Sequence, residues 1–380
     1  AAGGGGGASY GSFVAPSVLG SGGGAGTTGY GTGHGGSGGG SVRLDVGGTF
    51  VLNGSLSANG ANGSGGSWSY FGVYWSGGGG SGGSIHLHAS ELAGSGSIRA
   101  DGGQGYAGRA AGGGGGRICV DYGISTFAGE FAAVGGTGRQ AGGAGTIYLK
   151  STSHMCGELL VDNAGRGTSA MTPVLESVIL DSVTVRNNGY VSVPAMIELG
   201  LTASSLSLQD TGRMLVQGRV YQQADAQGRF TSIDVGTSYE LRIGDNAELA
   251  CTQLNIASSG QVWLLADVTH ALSADQVEIL DGGTLVLDTA ATFGSMHIAS
   301  GGQLTHSSGE EGFDLTILGD LTVDVGGAIN ADGRGHGRGA GAGAGSSGSS
   351  SGGGAGYGGQ GGAAGGGGGA SYGSFVAPSV

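Results

Sequence analysis

Between residues 151 and 325 apolar and polar residues alternate one by one in short runs. They include ESVILDSVTVRNNG, SIDVGTSYELRIGDNAELA, TQLNIASSGQVWLLADV, ADQVEILDGGTLVLD, GSMHIASGGQLTHSS and FDLTILGDLTVDVGG. A period of two sends every second side chain to the same face, so each run predicts a β-strand with one buried face. The runs end in GG, DG, NN or SG, which are turn signals. Equivalent apolar positions recur at a nearly fixed interval: 23 residues from Leu254 to Val277, 19 from Val277 to Met296 and 19 from Met296 to Leu315. A repeat on this scale predicts a solenoid, each coil burying its inner face on the next. The nearest approach to a helical stripe is AMIELGLTASS at 195–205, and its Thr and Ser favour a strand followed by a loop.

Residues 41–150 carry the same strands with glycine between them. SLSANGANGSGG (55–66), SIRADGGQGYAGRAAGG (97–113), EFAAVGGTGRQAGG (130–143), ELLVDNAGRG (158–167) and AINADGRGHGRG (328–339) each run from a short strand through a small turn residue into glycines. The tracts return into GGSVRLDV, GGSIHLHA, GGRICVDY and GAGTIYLK. The strands of each coil are kept and one corner is swollen. Four zones follow: a glycine-rich tract over 1–40, solenoid coils with glycine insertions over 41–150, a regular solenoid over 151–325, and a last coil with a glycine tract over 326–380. The fold class is all-β, a parallel β-helix with long glycine-rich loops or a packed polyglycine layer on one side. Chains without Cβ atoms can approach closely and hydrogen-bond sideways as extended threefold strands, and Tyr10, Tyr30, Tyr70, Tyr106, Tyr357 and Tyr372 are placed to pin such a layer. A disordered brush is the other reading of the same tracts.

Composition narrows the function. Glycine is 95 of 380 residues without a three-residue period, and proline is only 4, which excludes collagen. Charged residues are 11% with a net charge of −13, and Lys150 is the one lysine. Nothing here can neutralise a run of phosphates, so nucleic acid is excluded as a partner. No apolar run reaches the roughly 18 residues of a membrane-spanning helix, and no signal peptide is visible. Residues 1–18 and 363–380 are identical, AAGGGGGASYGSFVAPSV, 362 positions apart. This duplication predicts a window onto a tandem array with a 362-residue unit.

The segment GGSIHLHASELAGSGSIRADGGQGYAGRAAGGGGGRICVDY at 82–122 resembles glycine-rich repeat regions of very large bacterial surface and secreted proteins. LTVDVGGAINADGRGHG at 321–337 and GGASYGS at 368–374 are similar to the same type. The resemblance covers roughly 41–150 and 320–380. It implies an adhesin, sheath or fibre component of parallel β-helical architecture, and it carries no catalytic signature.

Candidate chemistry is sparse. Glu278, Asp267, Asp275, Asp281 and Asp288 lie close in sequence, and coil stacking could pair carboxylates as glycoside hydrolysis requires; turn caps and a solvated face account for them more simply. His86 and His88 share a strand face, without an evident third ligand. Asp101, Asp162 and Asp332 sit beside glycines at equivalent turns, where Asp caps its own backbone. Calcium is the one cofactor such oxygen-rich turns suggest, and the GGxGxD repeat of calcium-binding rolls is missing. Trp68, Tyr70, Phe71, Tyr74 and Trp75 form a dense aromatic cluster, read as a small satellite core, an assembly contact or a sugar platform. Cys119, Cys156 and Cys251 lack metal spacing. Cys119 and Cys156 fall in neighbouring strand repeats and are candidates for a disulfide, buried thiols fit equally well, and an odd count leaves one cysteine for a crosslink between chains.

The expectation is a non-enzymatic structural unit of a long extracellular filament, sheath or stalk, self-associating with identical repeats. An adhesin repeat that binds a glycan or cell surface is the second reading, and a solenoid enzyme acting on polysaccharide the third.

Overall fold

The computed structural model describes residues 6–28, 31–68, 73–202, 206–208, 211–222, 230–235, 240–243, 248–257, 259–265, 272–309 and 313–372. Among these residues the fold is all-β with no α-helix, and three large sheets dominate. The first is seven-stranded and contains, in spatial order, Leu206–Leu208, Ser182–Arg186, Glu158–Asp162, Thr146–Ser151, Arg117–Ser125, Ser84–Ala93 and Ser41–Val51. The other two are eight-stranded and run from Thr172–Pro173 to Ala328–Ile329 and from Val178–Leu180 to Leu321–Val323. Neighbours in these sheets pair in parallel with one exception, so the chain climbs coil by coil as a β-solenoid.

Stacking in register builds the core. Val191, Met214, Leu241, Val262, Leu285 and Leu304 are successive partners in one row, and each is fully buried. A buried aliphatic side chain is worth about 1.5–3 kcal/mol relative to an exposed one, so each added coil contributes its own increment, as in any solenoid. The spacing of Leu254, Val277 and Met296 marks true partners. The next step differs: Met296 pairs with Leu321, and Leu315 pairs with Ala291 in a separate two-stranded sheet. The last coil is longer because residues 306–314 precede the corner strand Leu315–Ile317, where only 288–290 precede its partner Ala291–Phe293. AMIELGLTASS supplies the strand Glu198–Leu201.

The exception lies at the middle of the seven-stranded sheet. Thr146–Ser151 and Glu158–Asp162 are antiparallel, joined through residues 152–157, and chain direction reverses there. The buried face changes with it. Ile85, Leu87, Ile118, Val120 and Ile147 line one core; Leu159, Val161, Val183 and Val185 line another, on the opposite face of the same sheet. Two solenoid halves thus share one sheet, back to back. Cys119 and Tyr148, on the outer face of the first half, belong to the core of the second.

Glycine sets the coil length of the first half. Leu44 pairs with Leu87, Leu87 with Val120 and Val120 with Leu149, separations of 43, 33 and 29 residues. The extra residues bond to each other from tract to tract. Along 77–83, the N–H groups of Gly77, Gly80 and Gly83 donate to Ser64, Ala61 and Ala58. Those of Gly78 and Ser81 donate to Gly24 and Ser21, and those of Gly79 and Gly82 to Ala111 and Gly114. A donor direction that repeats every third residue is the geometry of an extended threefold helix, whose backbone groups all point outward. Spacing is tight. A Cβ on Gly80 would lie 2.0 Å from the Ser37 carbonyl oxygen, and one on Gly136 1.8 Å from that of Gly103.

Candidate functional site

The feature that most clearly looks built is a groove across the outer face of the seven-stranded sheet, filled by the first copy of the duplicated segment. Ser41, Ser84, Arg117 and Thr146 start four strands and stand in one register row. The row above it carries Arg43, His86, Cys119 and Tyr148. Residues 10–18 lie over these rows, and their carbonyls are received one by one. Arg117 Nε donates to Tyr10 O at 3.0 Å, Cys119 Sγ to Val14 O at 3.2 Å, Ser41 Oγ to Ser17 O at 3.2 Å and Ser84 Oγ to Val18 O at 2.6 Å. Ser12 Oγ donates to Glu176 Oε1 at 2.7 Å.

Apolar anchoring accompanies these bonds. Phe13 is 1% exposed and lies within the second core, its ring edge-on to Tyr148 at 5.8 Å between centroids. Val14 packs beside it. Tyr10 Oη donates to Leu19 O at 2.6 Å and closes the segment into a loop. Gly11 takes φ +79° at the bend, a conformation that disfavours side chains. Burial dominates the electrostatics here. It lowers the Arg117 pKa, pushes Tyr148 up to about 12 and raises the Cys119 thiol well above its usual range, the last helped by Asp121.

His86, Cys119 and Asp121 draw together under this segment. Their ligand atoms lie within 4.8 Å of one another, with His86 Nε2 3.2 Å and Cys119 Sγ 3.8 Å from Asp121 Oδ2. Such a set has the donor types of a zinc site, and Cys119 Sγ also reaches Val14 O of the covering segment.

The other sequence candidates fall elsewhere. Gly65–Trp68 and Val73–Ser76 form an antiparallel hairpin with Trp68 opposite Val73 and Trp75 opposite Gly66. Trp75 is half-buried, while Tyr70 and Phe71 lie outside the described residues, as do the side chains of Trp68 and Tyr74. No disulfide links the described cysteines: Cys119 and Cys251 are buried and Cys156 is half-buried in the reversing loop. Two of the three turn carboxylates that suggested calcium face protein donors. Asp101 binds Arg99 and the Val134 N–H, and Asp162 binds Arg186, Asn187 and the Ala164 N–H. Asp288 receives both donors of Ser307, and Glu278 turns to His297.

Neither a protein-family model, nor a curated protein, nor a solved structure matches the chain. The fold is therefore described as a generic β-solenoid. Sequence reasoning missed Phe13 and its groove. The available signal was SFVAPSV, an apolar island in a glycine tract, present in both copies.

Near the last coil His297 bridges Glu278 of the preceding coil and Asp324 of the following one. Its Nδ1 lies 2.8 Å from Glu278 Oε2 and its Nε2 3.0 Å from Asp324 Oδ2. The hydrogen bond to Asp324, then that to Glu278, raises its pKa above the ordinary value. Because the folded value is raised, the stabilisation is fully present below the ordinary histidine pKa, near 6.5, and is lost as pH rises through the folded value. Nuclear magnetic resonance titration of the ring should place His297 above an exposed histidine. Asp324→Asn should lower it more than Glu278→Gln, and an unshifted His297 would refute the bridge.

Proposed function

We propose that the chain is a structural repeat unit of a long extracellular filament, sheath or stalk, assembled by end-to-end stacking of identical solenoids and not by catalysis. The observation that carries this reading is how the core rows end. The row through Leu285 and Leu304 continues to Ile329, and that through Val277 and Met296 to Leu321. Both terminal members are about half exposed, at 49% and 45%, beside Leu318 at 77% and Val325 at 97%. At the other end Ser41–Val51 is the outermost strand of its sheet. Unpaired strands above exposed apolar rows are templates for another coil, and solenoids stay soluble as monomers only when such ends are capped.

The glycine tracts support the same reading. We take their threefold hydrogen bonding as a packed polyglycine layer that stiffens the rod along one side. The resemblance to glycine-rich repeats of bacterial surface proteins and the 18-residue duplication point to an array outside the cell.

The purified chain should form rods in electron micrographs, with a sedimentation coefficient that rises with concentration. Leu321→Lys together with Ile329→Lys should abolish the rods and leave the folded monomer. Rods that survive this double change, or a chain that stays monomeric at high concentration, would refute end-to-end stacking.

A further inference from the structure

The groove over the seven-stranded sheet reads only features that the chain carries twice. Its contacts are to Tyr10, Ser12, Phe13, Val14, Ser17 and Val18. At an offset of 362 these recur as Tyr372, Ser374, Phe375, Val376, Ser379 and Val380. Tyr10 Oη also meets Leu19 O and Ser21 Oγ, which follow the repeated residues. We propose that residues 371–380 of one copy of this chain dock into the groove of a second copy. The repeated segment of one copy would then close the core of another.

Three observations carry this. The groove is specific, because four carbonyls, one hydroxyl and one aromatic ring of the segment each have a placed partner. It is also needed, because Phe13 fills the position where the second core would otherwise open onto the outer face of the sheet. Finally, the equivalent tyrosines of the two copies meet different partners. Tyr10 donates to Leu19 O, whereas Tyr372 stands edge-on to Tyr357 at 4.9 Å and its N–H donates to Tyr357 O. Sequence identity makes the second copy chemically competent for the same groove. Within one chain the first copy holds the groove by its high effective concentration, so exchange shows once that copy is removed.

The inference deepens the self-association reading and is tested separately from it. In a chain that lacks residues 1–18 and carries Leu321→Lys and Ile329→Lys to remove end-stacking, the groove is open and residues 371–380 remain. Sedimentation should then show concentration-dependent oligomers, and Cys119 should resist iodoacetamide, read residue by residue by mass spectrometry. Adding Phe375→Ala should return the monomer and speed Cys119 alkylation by at least about tenfold, as a loosened local structure allows. The synthetic peptide ASYGSFVAPSV should restore protection without restoring oligomers. In the intact chain Phe375→Ala should change neither readout.

A protected Cys119 in a truncated monomer would assign the second copy to its own groove and overturn the exchange. Exposed Cys119 that ignores the peptide would overturn docking itself. Should the truncated chain not fold, the full chain with Phe13→Ala carries the same comparison, and failure of the peptide to protect Cys119 there is equally decisive. Rods without peptide protection would refute docking and leave end-stacking standing; protection without rods would do the reverse.

Discussion

Gly113→Ala is expected to disrupt the glycine-rich side of the molecule, while Gly114→Ala one residue later leaves it intact. A Cβ on Gly113 would lie 2.1 Å from the Gly80 carbonyl oxygen and 2.5 Å from its carbon. Both are backbone atoms of a tract that is itself bonded on several sides, so neither can swing away as a side chain would. Gly113 N–H donates to Gly103 O, and its own carbonyl receives Gly136 N–H, at 2.9 and 2.7 Å. A shift of the tract breaks those bonds as well. Overpacking alone costs about 1–3 kcal/mol, and lost buried backbone bonds add about 1–3 kcal/mol each. A Cβ on Gly114 meets nothing closer than the Gly143 oxygen at 3.9 Å. There alanine should be neutral or stabilise by up to about 1 kcal/mol, because it restricts the unfolded chain. The measurement is hydrogen exchange across 77–83 and 100–116 in both variants. A disordered brush would treat the two positions alike, so equal exchange in the pair would refute the packed layer.

Phe13→Ala is expected to open the first coil of the second core. A large aromatic to alanine change in a core costs about 3–5 kcal/mol, and here the lost ring also anchors the segment that covers the sheet. Arg117, Cys119 and Ser84 would lose carbonyl partners together as residues 10–18 lift away. Stability in a solenoid is distributed over coils, so the effect should be local: faster alkylation of Cys119, with Cys251 deeper in the core unchanged. Tyr148→Phe keeps the edge-on ring contact and should leave Cys119 protected. If Phe13→Ala leaves Cys119 as unreactive as before, the segment is held by its hydrogen bonds and Phe13 is not its anchor.

The two expectations rest on different kinds of information. The period of two and the near-constant coil length decide that the chain is a solenoid, because a strand with one buried face must alternate and a stack of coils must repeat. They even place Val277 between Leu254 and Met296, since little but a short turn separates those strands. The swollen glycine corner is equally plain in sequence, as are the lack of a basic surface and the duplicated end. What alternation cannot say is which interior a buried face looks into. Tyr148 and Leu159 face one core and Ile147 and Leu160 the other, and that division follows from an antiparallel pairing that no local pattern encodes. The partner of Met296 was hidden for a related reason, because the corner strand Leu315–Ile317 has the same alternation as Leu321–Val323. Phe13 meets Tyr148 across 135 residues of chain, and Arg117 reaches Tyr10 across 107. Only the tertiary structure decides contacts of that range. The hydrogen bonds and packing that make them depend on where the sheet's outer face is left uncovered, a property of the assembled coils and of no single segment.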